Sequence, residues 1–182
     1  MTQKIPNILI LNNAIARVQA YIEAAKGEVS GMGQIAEKDG NLIINKVFLF
    51  PQTTSEVKTT FDTMAYGAFI AEMMRQGEDI GSFRLWWHSH AYSNVYWSNT
   101  DEATIARLSK KKYLISLLGN KRNEFLLRYD IQVPEDIAAA VPLQILKSDG
   151  PAILRDEIAR EVSVKVKFIP AKEVKVKNGT VS

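Results

Sequence analysis

Apolar and polar positions follow two different periods along this chain, and the change of period marks its elements. In residues 13–25, Ile15, Val18 and Ile22 recur at i, i+3 and i+7, the apolar face of an amphipathic helix, and Gly27 follows as its stop. The stretch 27–52 then carries two β-like runs separated by Lys38, Asp39, Gly40 and Asn41. Asp-Gly between apolar runs predicts a hairpin, with Pro51 ending its second strand. Residues 52–60 (QTTSEVKTT) are polar and predict a loop. From Phe61 the period returns to helical, with Phe61, Met64, Ala65, Ala68, Phe69 and Met73 on one stripe and Gly77 closing it. Residues 83–90 (FRLWWHSH) predict a strand rich in aromatics. A polar and aromatic loop, 91–97, leads to a helix over 99–110. The continuous apolar run 113–119 predicts a buried strand, and 124–133 predicts the strand after it. Beyond Pro134 the pattern predicts a strand at 143–146, a helix at 152–162 and a strand at 163–169 with lysines on alternate positions. The order α-β-β-α-β-α-β-β predicts an α/β (α+β) domain, a mixed sheet with helices packed on it. Residues 1–133 form its core, and 134–182 form an extension packed on or extending that core.

Composition narrows the chemistry more than the fold. The 182 residues are 46% hydrophobic and 24% charged, ordinary values for a globular chain. Twenty-three Lys and Arg against 20 Asp and Glu leave a net charge of +3, too small an excess to point to nucleic acid. The lysines at 165, 167, 172, 175 and 177 are the only basic concentration. Their alternation reads as a solvent-facing strand edge guarded against edge-to-edge pairing. The first apolar run, ILIL, is shorter than the ~7–15 residues of a signal peptide or the ~20 of a membrane helix. The expectation is a soluble, cytoplasmic protein without a membrane partner, in which the sequon at Asn178 is accidental. No cysteine is present, which excludes disulfides, thiolate zinc sites and a Cys nucleophile.

Only two histidines are present, His88 and His90. In an extended chain, side chains two apart share a face, so both imidazoles can reach one ion. Neutral imidazole is a common zinc ligand, and a catalytic zinc usually keeps three protein ligands and a water. With no cysteine, a carboxylate must be the third ligand, and Asp101 stands eleven residues after His90 at a predicted helix start. Two histidines in a strand are ordinarily polar surface or satisfied core groups, and Ser98 with Asp101 three residues on is also an ordinary helix cap. Local sequence leaves cap and ligand both open, and the two can coexist.

The longer pattern is more specific. His88, Ser89, His90, seven residues, Ser98, two residues and Asp101 spell H-x-H-x7-S-x2-D. Upstream, residues 28–33 (EVSGMG) place a glutamate before small residues on a predicted strand. On these motifs the chain resembles the JAMM (MPN+, Mov34/JAB-domain) zinc metallopeptidases, in a prokaryotic-type, deubiquitinase-like form. The order of elements over about residues 10–133 is similar too. The resemblance implies a cytidine-deaminase-like JAB/MPN architecture, with a curved mixed sheet flanked by helices. It implies that His88, His90 and Asp101 bind Zn2+, that Glu28 is the general base, and that Ser98 hydrogen-bonds the oxyanion. Many family members carry proline where this chain has Ala91 and Trp97. Gly31, Gly33 and Ala36 also match the dinucleotide pattern G-x-G-x-x-A, but that fingerprint needs a following helix, and β-like sequence follows here. In the JAMM reading these glycines allow close packing beside the metal.

The resemblance further implies hydrolysis of an amide or isopeptide bond at the C-terminus of ubiquitin or a ubiquitin-like protein, with E1- or E2-like enzymes of the same pathway as further partners. An extended tail would pair with a strand edge, and the loop 52–60 with Tyr92, Tyr96 and Trp97 are the candidate substrate contacts, Trp97 reading equally as core packed under its loop. Trp86 and Trp87 read as core. Two alternatives stand beside this reading: a non-catalytic MPN-type scaffold, and a small-molecule amidase or carrier-bound peptide hydrolase on the same site. No pattern in the chain bears on oligomeric state.

Overall fold

Residues 7–11 (NILIL) open the fold as strand β1 (Asn7–Leu11). The computed structural model describes residues 5–110, 112–133 and 136–170. The lysines at 172, 175 and 177 and the sequon at Asn178 lie outside them. β1 passes directly into α1 (Asn12–Ala24), whose Ile15, Val18 and Ile22 are buried. Strands β2 (Ser30–Lys38) and β3 (Asn41–Leu49) follow as an antiparallel pair. Their turn is Asp39-Gly40, with φ of 51° and 75°, the left-handed pair of a two-residue hairpin.

Residues 52–60 are not a plain loop. They form most of a small hairpin, β4 (Gln52–Thr54) and β5 (Thr59–Phe61). Threonine suits an extended backbone, and Gln52 and Thr54 are buried. α2 (Thr63–Arg75) begins two residues later than its apolar stripe, because the Asp62 carboxylate caps the amides of Met64 and Ala65. β6 (Leu85–Ser89), α3 (Asn99–Leu108), β7 (Leu114–Gly119) and β8 (Phe125–Ile131) fall inside the predicted ranges. The last segment adds β9 (Ile137–Val141), β10 (Gln144–Leu146), α4 (Arg155–Lys165) and β11 (Val166–Phe168). The strand predicted over 163–169 therefore starts only at Val166. Lys165 is still helical, its ammonium bonded to the Leu49 carbonyl and the Glu161 carboxylate, so it guards no strand edge.

Among these residues, eight strands form one mixed sheet in the order β10-β1-β3-β2-β6-β7-β8-β9, and β11-β4-β5 form a second. Only Pro142 and Leu143 separate β9 from β10 in sequence, yet these are the two outer strands. Three Cα steps of 3.8 Å reach about 11 Å, so the sheet is curled until its edges approach. One face buries α1 and α4 on Ile44, Leu85, Trp87, Ile115 and Leu117. The other buries Met32, Phe50, Trp86, Ile105 and Leu114, with residues of α2 and α3 packed against them. Gly31 lies under Trp87, where an added Cβ would come within 2.5 Å of the indole and 2.1 Å of the Phe48 carbonyl oxygen. Its close packing therefore serves the α1 face, behind the histidines. No helix among the described residues is long and apolar enough to cross a membrane.

Candidate metal centre

β6 is central, paired with β2 on one side and β7 on the other, and its alternation divides its side chains. Trp87 stacks on Tyr21 of α1, with ring centroids 5.6 Å apart. Trp86 and His88 face the other way and stack on each other at 4.2 Å. His90 follows just past the strand end, its amide bonded to the Gly119 carbonyl, and its ring lies 5.4 Å from that of His88.

Asp101 comes to this pair from the first turn of α3. Ser98 is the N-cap, and the two side chains form a reciprocal capping box. Asp101 Oδ2 accepts from the Ser98 amide at 2.8 Å and the Ser98 hydroxyl at 2.7 Å, and it lies 3.2 Å from His90 Nε2. Its other oxygen, Oδ1, stands 3.0 Å from His88 Nε2. One carboxylate thus fixes the helix start and faces both imidazoles.

The donor set fits a divalent cation. His88, His90 and Asp101 are all buried, and one ligand atom from each lies within 4.8 Å of the others. Neither ring nitrogen of His88 makes a hydrogen bond among the described residues. The short approach of Nε2 to Asp101 is therefore not aligned as a hydrogen bond, which leaves a buried donor-acceptor atom aimed at the carboxylate. Such atoms in native interiors call for a partner. His90 Nδ1 lies 3.2 Å from the Asn94 carbonyl; donating there directs the Nε2 lone pair inwards, the outer-shell arrangement usual for ligating histidines. Burial pushes His88 below its ordinary value, against the pull of Asp101, and so favours the neutral, ligating form. The contact with Asp101 raises His90 against burial. Burial opposes ionisation of Asp101, but the facing imidazoles and the Ser98 hydroxyl outweigh it and hold the carboxyl well below the usual range.

Glu28 lies in the short link between α1 and β2. Its amide donates to the Ser55 carbonyl at 2.9 Å, and its carbonyl accepts from the Thr54 hydroxyl. Gly27 permits this, since an added Cβ would come within 2.1 Å of the Ser55 carbonyl oxygen. The next residue, Val29, exchanges hydrogen bonds with Ser89 through its amide and its carbonyl. Gln52 holds Ser30 by both backbone groups, as a neighbouring strand would. The half-buried Glu28 carboxyl is pushed up to about 7, chiefly by burial; His90 lowers it and Asp101 raises it, which couples it electrically to the metal centre.

That elevation has a consequence for the metal-free protein. The fold favours protonated Glu28, so the associated stability is complete below the ordinary value of 4.5 and is lost as pH rises to about 7. Glu28→Gln removes this loss. At pH 8 it should stabilise the metal-free protein by about 1–2 kcal/mol, discounted for solvent screening, with the gain vanishing towards pH 5. Melting curves across that range check it; a pH-independent difference would contradict the placement of Glu28.

The other candidates are placed less deeply. Tyr92 and Tyr96 are exposed, and the Tyr96 ring stands 5.1 Å from His90. Trp97 is partly buried against the Trp86 cluster, 5.9 Å from the His88 ring. Gln52 turns its amide inwards to Ser30, so it is a strut of the site and not an open substrate contact. Trp86 is core, as its sequence predicts, and also stacks on His88, while the Asn94 carbonyl beside His90 is marked by no sequence pattern.

No family profile and no curated protein matches this chain. Among solved structures, that of protein DSY2949 from Desulfitobacterium hafniense, determined in solution, is similar with a TM-score of 0.56. The two share 12% identity over 79% of this chain and 94% of that one. The likeness is one of fold, and function has to be argued from the site.

Proposed function

We propose that this chain is a zinc-dependent metallopeptidase of the JAMM type, acting on an amide or isopeptide bond at the C-terminus of ubiquitin or a ubiquitin-like protein. The observation that supports this reading is the meeting of His88, His90 and Asp101 around one point, with the Glu28 carboxyl coupled to it. The curled mixed sheet with helices on both faces fits the cytidine-deaminase-like JAB/MPN architecture. The lack of cysteine fits a cytoplasmic enzyme working beside E1- and E2-like proteins.

His88, His90 and Asp101 would hold the zinc, which would supply a water of pKa lowered towards ~7 and polarisation of a carbonyl. Glu28 takes the proton of the attacking water and delivers it to the departing amine. The Ser98 hydroxyl, one bond from Asp101 Oδ2, turns to the oxygen on which negative charge develops. Tyr96, beside His90, and Tyr92 offer exposed rings along which an extended tail can lie.

The test is metal content measured together with cleavage. One zinc per chain and release of a ubiquitin-like protein from a C-terminal fusion are expected, with both lost on chelation. Zinc with turnover only of small amides would move the site to an amidase, and a chain that binds no zinc would be a scaffold.

A further inference from the structure

Helix α3 carries Asp101 and Ser98 but is held by little apolar surface. Of its ten residues only Asp101 and Ile105 are buried, with Leu108 and the preceding Trp97 partly buried against the same cluster. An ångström of tilt in its first turn would carry the carboxylate away from both imidazoles.

Strand β8, which contributes no ligand, supplies the missing restraint. The Arg128 side chain is 14% exposed, and its Nη1 lies 2.5 Å from Oε1 of Glu102, the neighbour of Asp101. Its Nη2 and Nε lie 2.8 and 2.9 Å from Oδ1 of Asp130, itself buried. The guanidinium covers Trp97, with Cζ 5.8 Å from the ring centroid. At the far end of α3, the Gln132 amide donates to the Ala106 carbonyl and the Ser109 hydroxyl. The buried Arg128–Asp130 pair contributes little net stability compared with apolar residues of the same volume, and the Glu102 carboxylate, 48% exposed, adds little more as a surface pair, so the arrangement calls for another reason.

We infer that Arg128 is a positioning residue of the metal centre. Anchored by Asp130, it grips Glu102 and Trp97 on the two sides of the Ser98–Asp101 turn and sets the carboxylate at its distance from His88 and His90. The inference rests on the metal-centre reading above and adds a residue that touches neither cation nor substrate. It also explains an arginine at this place, since only the planar fork reaches two carboxylates while stacking on an indole.

The experiment compares full-length wild-type protein with Arg128→Met, Arg128→Lys and Glu102→Gln. It reads zinc affinity by chelator competition and the visible spectrum of the Co2+-loaded form. Arg128→Met should bind zinc about 10–100-fold more weakly and shift the Co2+ bands. Arg128→Lys should recover only part of this. Adding Glu102→Gln to Arg128→Met should cost less than it does alone, as expected for one coupled contact. A purely structural arginine would lower the melting temperature and leave the Co2+ bands unchanged, which would overturn the inference. Should Arg128→Met fail to fold, Arg128→Lys and Glu102→Gln decide it: unchanged zinc affinity in both overturns it. Wild-type protein that binds neither metal overturns the metal-centre reading and this role with it.

Discussion

His88→Ala should abolish the thermal stabilisation expected from zinc in the wild-type protein. A ligand that binds only the folded state contributes RT ln(1 + [L]/Kd), about 4.1 kcal/mol at a thousandfold excess over Kd. For a chain of this length each kcal/mol moves the melting temperature by about 2–4 °C, so zinc should raise it by roughly 8–16 °C. Both rings, His88 and His90, are buried with Asp101, and the chain has no other imidazole and no thiolate to take the place of a lost ring. Asp101→Asn is the sharper control. An amide oxygen can still accept from the Ser98 amide, as Asp101 Oδ2 does, so the helix cap is kept, while loss of the charge that both imidazoles stabilise lowers the metal-free melting temperature, and each variant's zinc shift is read against its own metal-free form. The anionic ligand is lost and the zinc shift falls. Equal zinc shifts in wild type, His88→Ala and Asp101→Asn would mean that the cation binds elsewhere.

Glu28→Gln should lower kcat by about 10²–10⁴-fold, the usual contribution of a general acid-base group, and leave one zinc bound. The substitution keeps size and hydrogen-bonding reach and removes the charge together with the capacity to take a proton. The backbone anchors of Glu28 to Ser55 and Thr54 do not involve its side chain and survive the change. Kinetics on a ubiquitin-like fusion, with zinc counted in the same samples, separates this from loss of metal. Activity within threefold of wild type would exclude Glu28 as the base.

The candidate metal centre was legible because its chemistry is dense in the sequence. His88 and His90 share a face by strand geometry alone, and the spacing to Ser98 and Asp101 carries the rest of the motif. Asp101 closes the capping box with Oδ2, which also faces His90, and turns Oδ1 to His88, so the cap and the candidate ligand are one carboxylate. Helix α1 was legible from its periodicity, and the start of α3 from the pairing of Ser98 with Asp101. β1 was not, because NILIL runs into α1 with Leu11 at the N-cap and no capping side chain, so no breaker marks the boundary. β9 was hidden because its three central alanines have low strand propensity and its stabilising partner is β8. Residues 52–60 misled through their polarity, since Gln52 satisfies its amide on Ser30 inside the protein. The supports of the site, Trp86 on His88, Asn94 on His90 and Arg128 on Glu102, are contacts of tertiary structure, and of these only the first leaves a trace in the local pattern.

The account stands most directly on the coordination of the cation. X-ray absorption at the zinc edge, on protein loaded with one equivalent, should show two imidazole nitrogens at about 2.0–2.1 Å and oxygen ligands at about 2.0–2.2 Å from Asp101 and water. A first shell of oxygens without imidazole, or a spectrum that Asp101→Ala leaves unchanged, would contradict it.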